Sequence, residues 1–310
     1  MPSIMITGAS GFIGSHVARA AAGRTAALTL MSHRRPPAVP RSAGVRTVTA
    51  DLAAPHTLQG TCEGVDVLIH CASQIGGTPE ANEAVNARGT EALVAEARRA
   101  GVSRIVHLST ASVYGRGTFI GARAEDLVRR PGSPTSQTRA AAEDTVLAAG
   151  GTVLRPHIVH GEGDVWVVPV IAGAMRALRH EVVGGEALLS VVSAAELARL
   201  LLGAALAPAG ALSARVYHAV HPEPVSAARL LRAAADCAGL PPARRQLTVE
   251  QASEALVARG HTVTGLGMLA TDHWFDGSRL WADLGEEPGP GFEEDFAGAR
   301  AWYEDTVRAA

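Results

Sequence analysis

The stretch TGASGFIGSH, Thr7 to His16, carries glycines at 8, 11 and 14. Residues of this type at this spacing can hold a pyrophosphate. A tight turn needs φ freedom, the pyrophosphate needs close backbone approach, and the helix that follows must pack against the strand before it. A helix start also offers free N–H groups and a partial positive charge. Gly8, Ser10, Gly11, Phe12, Ile13 and Gly14 are therefore the expected cradle. The loop follows an apolar run, SIMITGA, and opens a helical pattern, GFIGSHVARAAAG. That position makes a dinucleotide the expected ligand.

The end of the next apolar run, AALTLMS, says which dinucleotide. NAD-binding chains usually place an acid there to hold the ribose hydroxyls. Here Ser32 takes that place, and Arg34 and Arg35 follow. A carboxylate repels a 2′-phosphate, whereas a guanidinium binds it through two hydrogen bonds. The reading is NADP(H), with Arg34 as the main phosphate contact.

One count limits the remaining chemistry. All 28 basic residues are arginine, because the sequence has no lysine. A Schiff base is excluded, as is any mechanism that needs a tunable ammonium group. Only three tyrosines are present: Tyr114, Tyr217 and Tyr303. Net charge is −2, so nothing points to nucleic acid or to an anionic membrane surface. No apolar run reaches the ~18 residues of a membrane span. The chain opens almost directly on an apolar strand, so no signal peptide is expected. Cys62, Cys71 and Cys237 are odd in number and lack metal-ligand spacing. Free thiols in a reduced cytoplasm are expected, with no metal.

The elements that must position these residues alternate. Strands are read at SIMITGA, AALTLMS, VRTVTAD, VDVLIHCAS, SRIVHLSTAS and GTVLRPHIV. Helices are read at GFIGSHVARAAAG, EAVNARGTEALVAEARRAG and SQTRAAAEDTVLAAG. The repetition predicts an α/β fold, a doubly wound parallel sheet (Rossmann) with a smaller C-terminal substrate lobe. A dinucleotide-binding domain is expected over 1–155, with contributions from about 186–220. A substrate-binding lobe is expected mainly over 156–310. Trp166, Met175, Met268, Trp274 and Phe275 are candidates to line an aromatic pocket there.

Taken together, the motifs resemble the extended short-chain dehydrogenase/reductase family. Beyond TGASGFIG, the resemblance rests on Ala50-Asp51, IHCAS, VNARGT, LSTASVYG and LRPHIVHG, with a weaker echo at DHWFDGSRLWADLG. It implies that Asp51 and Leu52 contact adenine and that Cys71, Ala72 and Ser73 line the cofactor. It puts Asn86 beside the adenosine half, and Pro156, His157 and Ile158 beside the nicotinamide. It also places Thr110 where the family has its carbonyl-binding serine or threonine. The family often dimerises through two helices, which here fall around 82–100 and 136–149, so a homodimer is a candidate state.

The chain departs from the family at its acid–base pair. Anchored on Glu143, the tyrosine place falls on Thr135 and the lysine place on Arg139. With no lysine in the chain, the pair is absent in any register. An arginine stays protonated and cannot act as a base, but it can bind the nicotinamide ribose. Three outcomes follow. Another side chain donates the proton, with Tyr114, His157 and His160 as candidates. The substrate assists itself through a phenol or enol, with Thr110 and Ser109 orienting the carbonyl. Or the chain binds NADP and does not catalyse.

The second outcome is favoured. The whole pattern resembles atypical ketoreductases of actinomycete antibiotic pathways, and the expected substrate is a small-molecule aromatic polyketide ketone, angucyclinone-like. The rivals are a nucleotide-sugar 4-ketoreductase or epimerase and a non-catalytic NADP-binding redox sensor.

Overall fold

The computed structural model describes residues 1–38, 44–178, 182–183, 185–241, 246–260 and 266–309. Seven strands make one sheet: β1 (Ser3–Thr7), β2 (Ala27–Ser32), β3 (Val45–Thr49), β4 (Val67–His70), β5 (Arg104–Leu108), β6 (Thr152–Arg155) and β7 (Val216–His218). Their order is β7-β6-β5-β4-β1-β2-β3. Every pair is parallel. All four residues of β4 and of β6 are buried, as strands covered on both faces should be.

Four helices cover the two faces: α1 (Phe12–Ala21), α2 (Gly89–Arg99), α3 (Pro134–Ala148) and α4 (Ala194–Leu206). On one side Val17 of α1 and Leu197 and Leu201 of α4 bury Ile4 and Ile6 of β1. On the other, Leu93 and Val94 of α2 and Val146 of α3 bury Met5, Leu68 and Ile105. The sheet thus takes α4 and β7 from the region around 186–220. Chain order reverses where β1 lies between β4 and β2, which opens a crevice at the strands' carboxyl ends.

The run GTVLRPHIV does not form one strand. β6 stops at Arg155, and Ile158–His160 leaves the main sheet to pair with Val191–Ser193. Proline ends the ladder because it has no N–H to give. The Pro156 carbonyl instead accepts the Ala111 N–H at 2.8 Å, which ties this break to the end of β5.

A second, mixed sheet orders Val225–Ser226, Leu188–Leu189, His273–Phe275 and Phe119–Ala122. One of its strands, Phe119–Ala122, therefore comes from the first half of the chain. Around it lies a separate apolar cluster that includes Val168, Met175, Leu230, Phe296 and Tyr303.

Candidate functional site

The glycine loop has the geometry its spacing demands. Gly8 sits at φ +68°, and a Cβ there would lie 2.8 Å from the Ala72 backbone. A Cβ on Gly14 would run into the Gly8 carbonyl. The Gly11 N–H closes the turn on that carbonyl at 2.8 Å. Gly11 is also the N-cap of α1, and no side chain caps that helix. Its first-turn N–H groups, beside Ser10, Phe12 and Ile13, are thus left for a ligand. Backbone this close, which any side chain would block, fits a pyrophosphate.

Ser32 ends β2 and is buried; its carbonyl accepts from Ala50 at 3.1 Å. Arg34 and Arg35 are exposed just beyond it. Among the described residues neither has an ion-pair partner. Asp51 lies opposite, 3.3 Å from His33, and its carboxylate accepts the Ala53 N–H at 2.9 Å. Leu52 is buried behind it.

Cys71, Ala72 and Ser73 follow β4 at the crevice. Burial pushes the Cys71 thiol up to about 12. Asn86 is buried in a single π-helical turn, Glu83–Arg88. Its amide accepts the Gln74 N–H at 2.8 Å and donates to the Gln74 carbonyl at 3.0 Å and to Thr138 at 3.1 Å. It holds the loop after β4 rather than offering a free amide.

The place of the acid–base pair is set by the start of α3. Ser133 and Ser136 form a reciprocal cap, and Pro134 takes the first helical position. Thr135 therefore lies in the first turn and Arg139 one turn on. The Thr135 hydroxyl accepts the Gly76 N–H at 3.3 Å. Arg139 is buried and donates to Ser73 Oγ at 3.0 Å and to the Leu108 carbonyl at 2.6 Å. Burial lowers it to about 10, against the opposing pull of Glu143. Its Nε is buried without a partner. Arg139 thus bridges the carboxyl ends of β4 and β5.

Two expected carbonyl-side residues are placed elsewhere than an open cleft. Ser109 is buried, and its hydroxyl donates to Glu143 Oε1 at 2.5 Å. Tyr114 is 2% exposed. The Tyr114 hydroxyl accepts from Arg155 at 2.8 Å and lies 2.7 Å from His218 Nε2. His218 Nδ1 contacts the Asp276 carbonyl at 3.2 Å, so it carries the ring proton and Nε2 accepts from the tyrosine. Burial also raises the Tyr114 pKa. Glu143, fully buried, completes this network with Arg155 and Arg129. Ser109 and Tyr114 therefore hold the fold here, and their protons are already engaged. Thr110 is part-exposed and caps the turn Ala111–Tyr114, accepting the Ser112 N–H at 3.1 Å.

Next to that turn lies an open cleft of about 720 Å³, lined by Ser112, Ser136, His157, Met268, His273 and Phe275 among others. Met268 and Phe275 are where an aromatic pocket was expected. The other three candidates are not. Trp166 is 55% exposed, Met175 is buried in the second core, and the Trp274 ring sits against Gly121. His160 is buried against Phe292 and Phe296, away from this cleft. Ile158 is likewise in the second core.

Sequence reading missed His273. It follows a run with no helical or strand period, and only the fold brings it beside His157. Their rings stack at 5.6 Å and 11°. The Phe275 ring meets His157 edge-on at 5.5 Å.

The sequence profile of the NAD dependent epimerase/dehydratase family matches residues 4–218. A 2-alkyl-3-oxoalkanoate reductase of Stenotrophomonas maltophilia is 27% identical over 96% of this chain and 98% of its own length. A 4-hydroxy-2-methyl-3-oxo-4-farnesyl-3,4-dihydroquinoline-1-oxide ketoreductase of Stigmatella aurantiaca is 31% identical over 66% of this chain and 65% of its own. Among solved structures, Bordetella bronchiseptica WbmH in complex with NAD+ matches 99% of this chain and 100% of its own, with TM-score 0.78 and 20% identity. MoeE5 in complex with UDP-glucose and NAD matches 98% and 99%, with TM-score 0.74 and 25% identity.

Proposed function

The chain belongs to the NAD dependent epimerase/dehydratase family, and we propose that within it the protein is an NADPH-dependent ketoreductase of aromatic polyketides. Its substrate would be an angucyclinone-like ketone, as in the ketoreductase of simocyclinone biosynthesis that its sequence resembles. It would work in the cytoplasm, in antibiotic biosynthesis, and as a homodimer candidate through α2 and α3.

One observation carries the reading: the cofactor cradle is complete, while the place of the proton-donating pair is taken by Thr135 and a locked, buried Arg139. Held by the loop from Gly8 to Gly14 and by Arg34, NADPH would supply the hydride when bound. The matching proton comes from the substrate's own hydroxyl or from water, since no lysine-activated tyrosine exists in the chain. The protein's share is then placement. Arg139 fixes the ends of β4 and β5 and adds positive field beside the nicotinamide ribose. Thr110 orients the carbonyl beside the cleft. Arg34, with Arg35, holds the 2′-phosphate; Ser32 puts no carboxylate in its way.

Two relatives whose names describe ketone reduction support this direction. A nucleotide-sugar substrate is the second reading, favoured by the fold shared with MoeE5 in complex with UDP-glucose. The test compares NADPH oxidation with a hydroxylated angucyclinone ketone against calorimetric binding of UDP-glucose. Turnover of the polyketide with no UDP-glucose binding is expected. The reverse result would replace the first reading with the second. Firm NADPH binding with neither response would favour a redox sensor.

A further inference from the structure

We propose that His157 and His273 form a stacked donor–acceptor pair that recognises a ketone with a hydroxyl close by on the same fused rings. The His157 N–H would lie on the ketone oxygen, and His273 Nε2 would accept a hydrogen bond from the hydroxyl, which keeps its proton. The inference rests on the ketoreductase reading and names the feature of the substrate that the cleft selects.

The tautomers follow from the partners. His273 Nδ1 lies 2.9 Å from the Thr271 carbonyl, which can only accept. That nitrogen therefore carries the proton, and Nε2 keeps its lone pair. Among the described residues Nε2 has no partner, and the residue lines the cleft. His157 is the complement. Its Nε2 is buried with no partner, so Nδ1 is the nitrogen left to meet the cleft that this ring lines. A buried N–H without an acceptor is rarer, and costlier, than a bare lone pair. The single proton of neutral His157 therefore belongs on Nδ1, where a ligand can take it.

Burial, with the neighbouring His273 and His218, holds His157 down to about 3. The ring stays a neutral donor at working pH. The aromatic packing fixes both rings: His157 lies between His273 and Phe275, and Phe119 meets His273 at 5.4 Å. One ring thus offers a donor, the other an acceptor, on adjacent planes. A plain ketone uses only the first. A hydroxy ketone uses both, and a site built for a hydroxyl discriminates against the analogue that lacks it.

The test measures calorimetric binding of 1-hydroxyxanthone and of xanthone to the NADP+-loaded protein. These ligands report recognition whether or not any ketone is reduced. Wild type should prefer the hydroxylated ligand by about tenfold, the effect of one net hydrogen bond. His273→Phe, which keeps an aromatic ring and loses the acceptor, should level that preference. His273→Gln, whose amide oxygen falls near Nε2, should restore part of it. His157→Phe should weaken both ligands alike, and His157→Asn, with an amide donor near Nδ1, should recover both.

Equal binding of the two ligands to wild type would overturn the pair, as would no binding of either. So would a preference that survives His273→Phe. A preference that behaves as expected, with no turnover of any ketone, would sink the ketoreductase reading and leave the recognition pair standing.

Discussion

The glycine loop and the start of α3 face the same crevice, yet sequence has treated them differently. At the loop, each glycine is where backbone contact requires it, and a Cβ on Gly8 would strike Ala72. At α3, the cap and the helix are kept, but the two groups that would move a proton are a short hydroxyl and a locked guanidinium. The cofactor half is preserved as geometry, while the acid–base half is rebuilt as scaffold. On the proposed ketoreductase reading, hydride placement and proton delivery are separable tasks.

The largest expected effect breaks the preserved half. Gly8→Val places a branched side chain at φ +68° against the Ala72 backbone. NADPH affinity, read by fluorescence titration, should fall by roughly two orders of magnitude or more, since the phosphate cradle can no longer close. Near-wild-type affinity would show that the cofactor does not use this loop.

The rebuilt half should answer in stability. Glu143→Ala strips the partner from buried Arg155, and breaking such a pair costs about 3–5 kcal/mol. Urea unfolding should show a correspondingly lower midpoint. An unchanged midpoint would mean that the Ser109–Glu143–Arg155–Tyr114 network is ornamental.

Arg34→Glu sharpens the cofactor side. Placing a carboxylate beside the 2′-phosphate should weaken NADPH by about tenfold or more while leaving NADH nearly as before. Equal losses for both cofactors would assign Arg34 another role.

Acid should weaken the fold through histidines that are buried neutral. Burial holds His70 and His157 near 3, and His160 and His218 near 4. Between those values and about 6.5 the unfolded chain binds more protons than the folded one. Their contribution is complete above about pH 6.5 and is lost as pH falls toward 3 to 4. Urea midpoints at pH 7 and pH 5 check this; a higher midpoint at pH 5 would contradict it.

The smallest effect is expected where a conventional reductase shows its largest. Tyr114→Phe removes two buried hydrogen bonds, from Arg155 and to His218, at a cost of about 1–3 kcal/mol in stability, and should leave kcat/KM within a few-fold. Thr110→Ala loses the hydroxyl that orients the carbonyl and should lower kcat/KM further than Tyr114→Phe does. A collapse of kcat with Tyr114→Phe alone, at full NADPH affinity, would make that tyrosine the acid.

The order of these effects follows from how much of the molecule was legible in sequence. Strand and loop were readable because their signals are local: VLIH is a continuous apolar run, and Gly8, Gly11 and Gly14 sit within seven residues. The break at Pro156 was written in the chain, but the periodicity on either side concealed it. The buried network was not readable. Ser109, Glu143, Arg155 and His218 are far apart in sequence, and only the β5-β6-β7 ladder with α3 packed on it brings them together. His273 escaped for the same reason, since its neighbour His157 arrives from beyond the end of β6 in the main sheet. Local motifs announced the cofactor; long-range packing made the cleft.

The most direct test of substrate assistance compares two substrates. NADPH oxidation would be followed with an aryl ketone bearing a neighbouring hydroxyl and with its O-methyl ether. The hydroxy ketone should turn over, and the ether should be slower by at least about tenfold at unchanged NADPH affinity, because the ether has no proton to give. Equal rates for the two would show that the substrate's hydroxyl does not give the proton and would contradict substrate assistance.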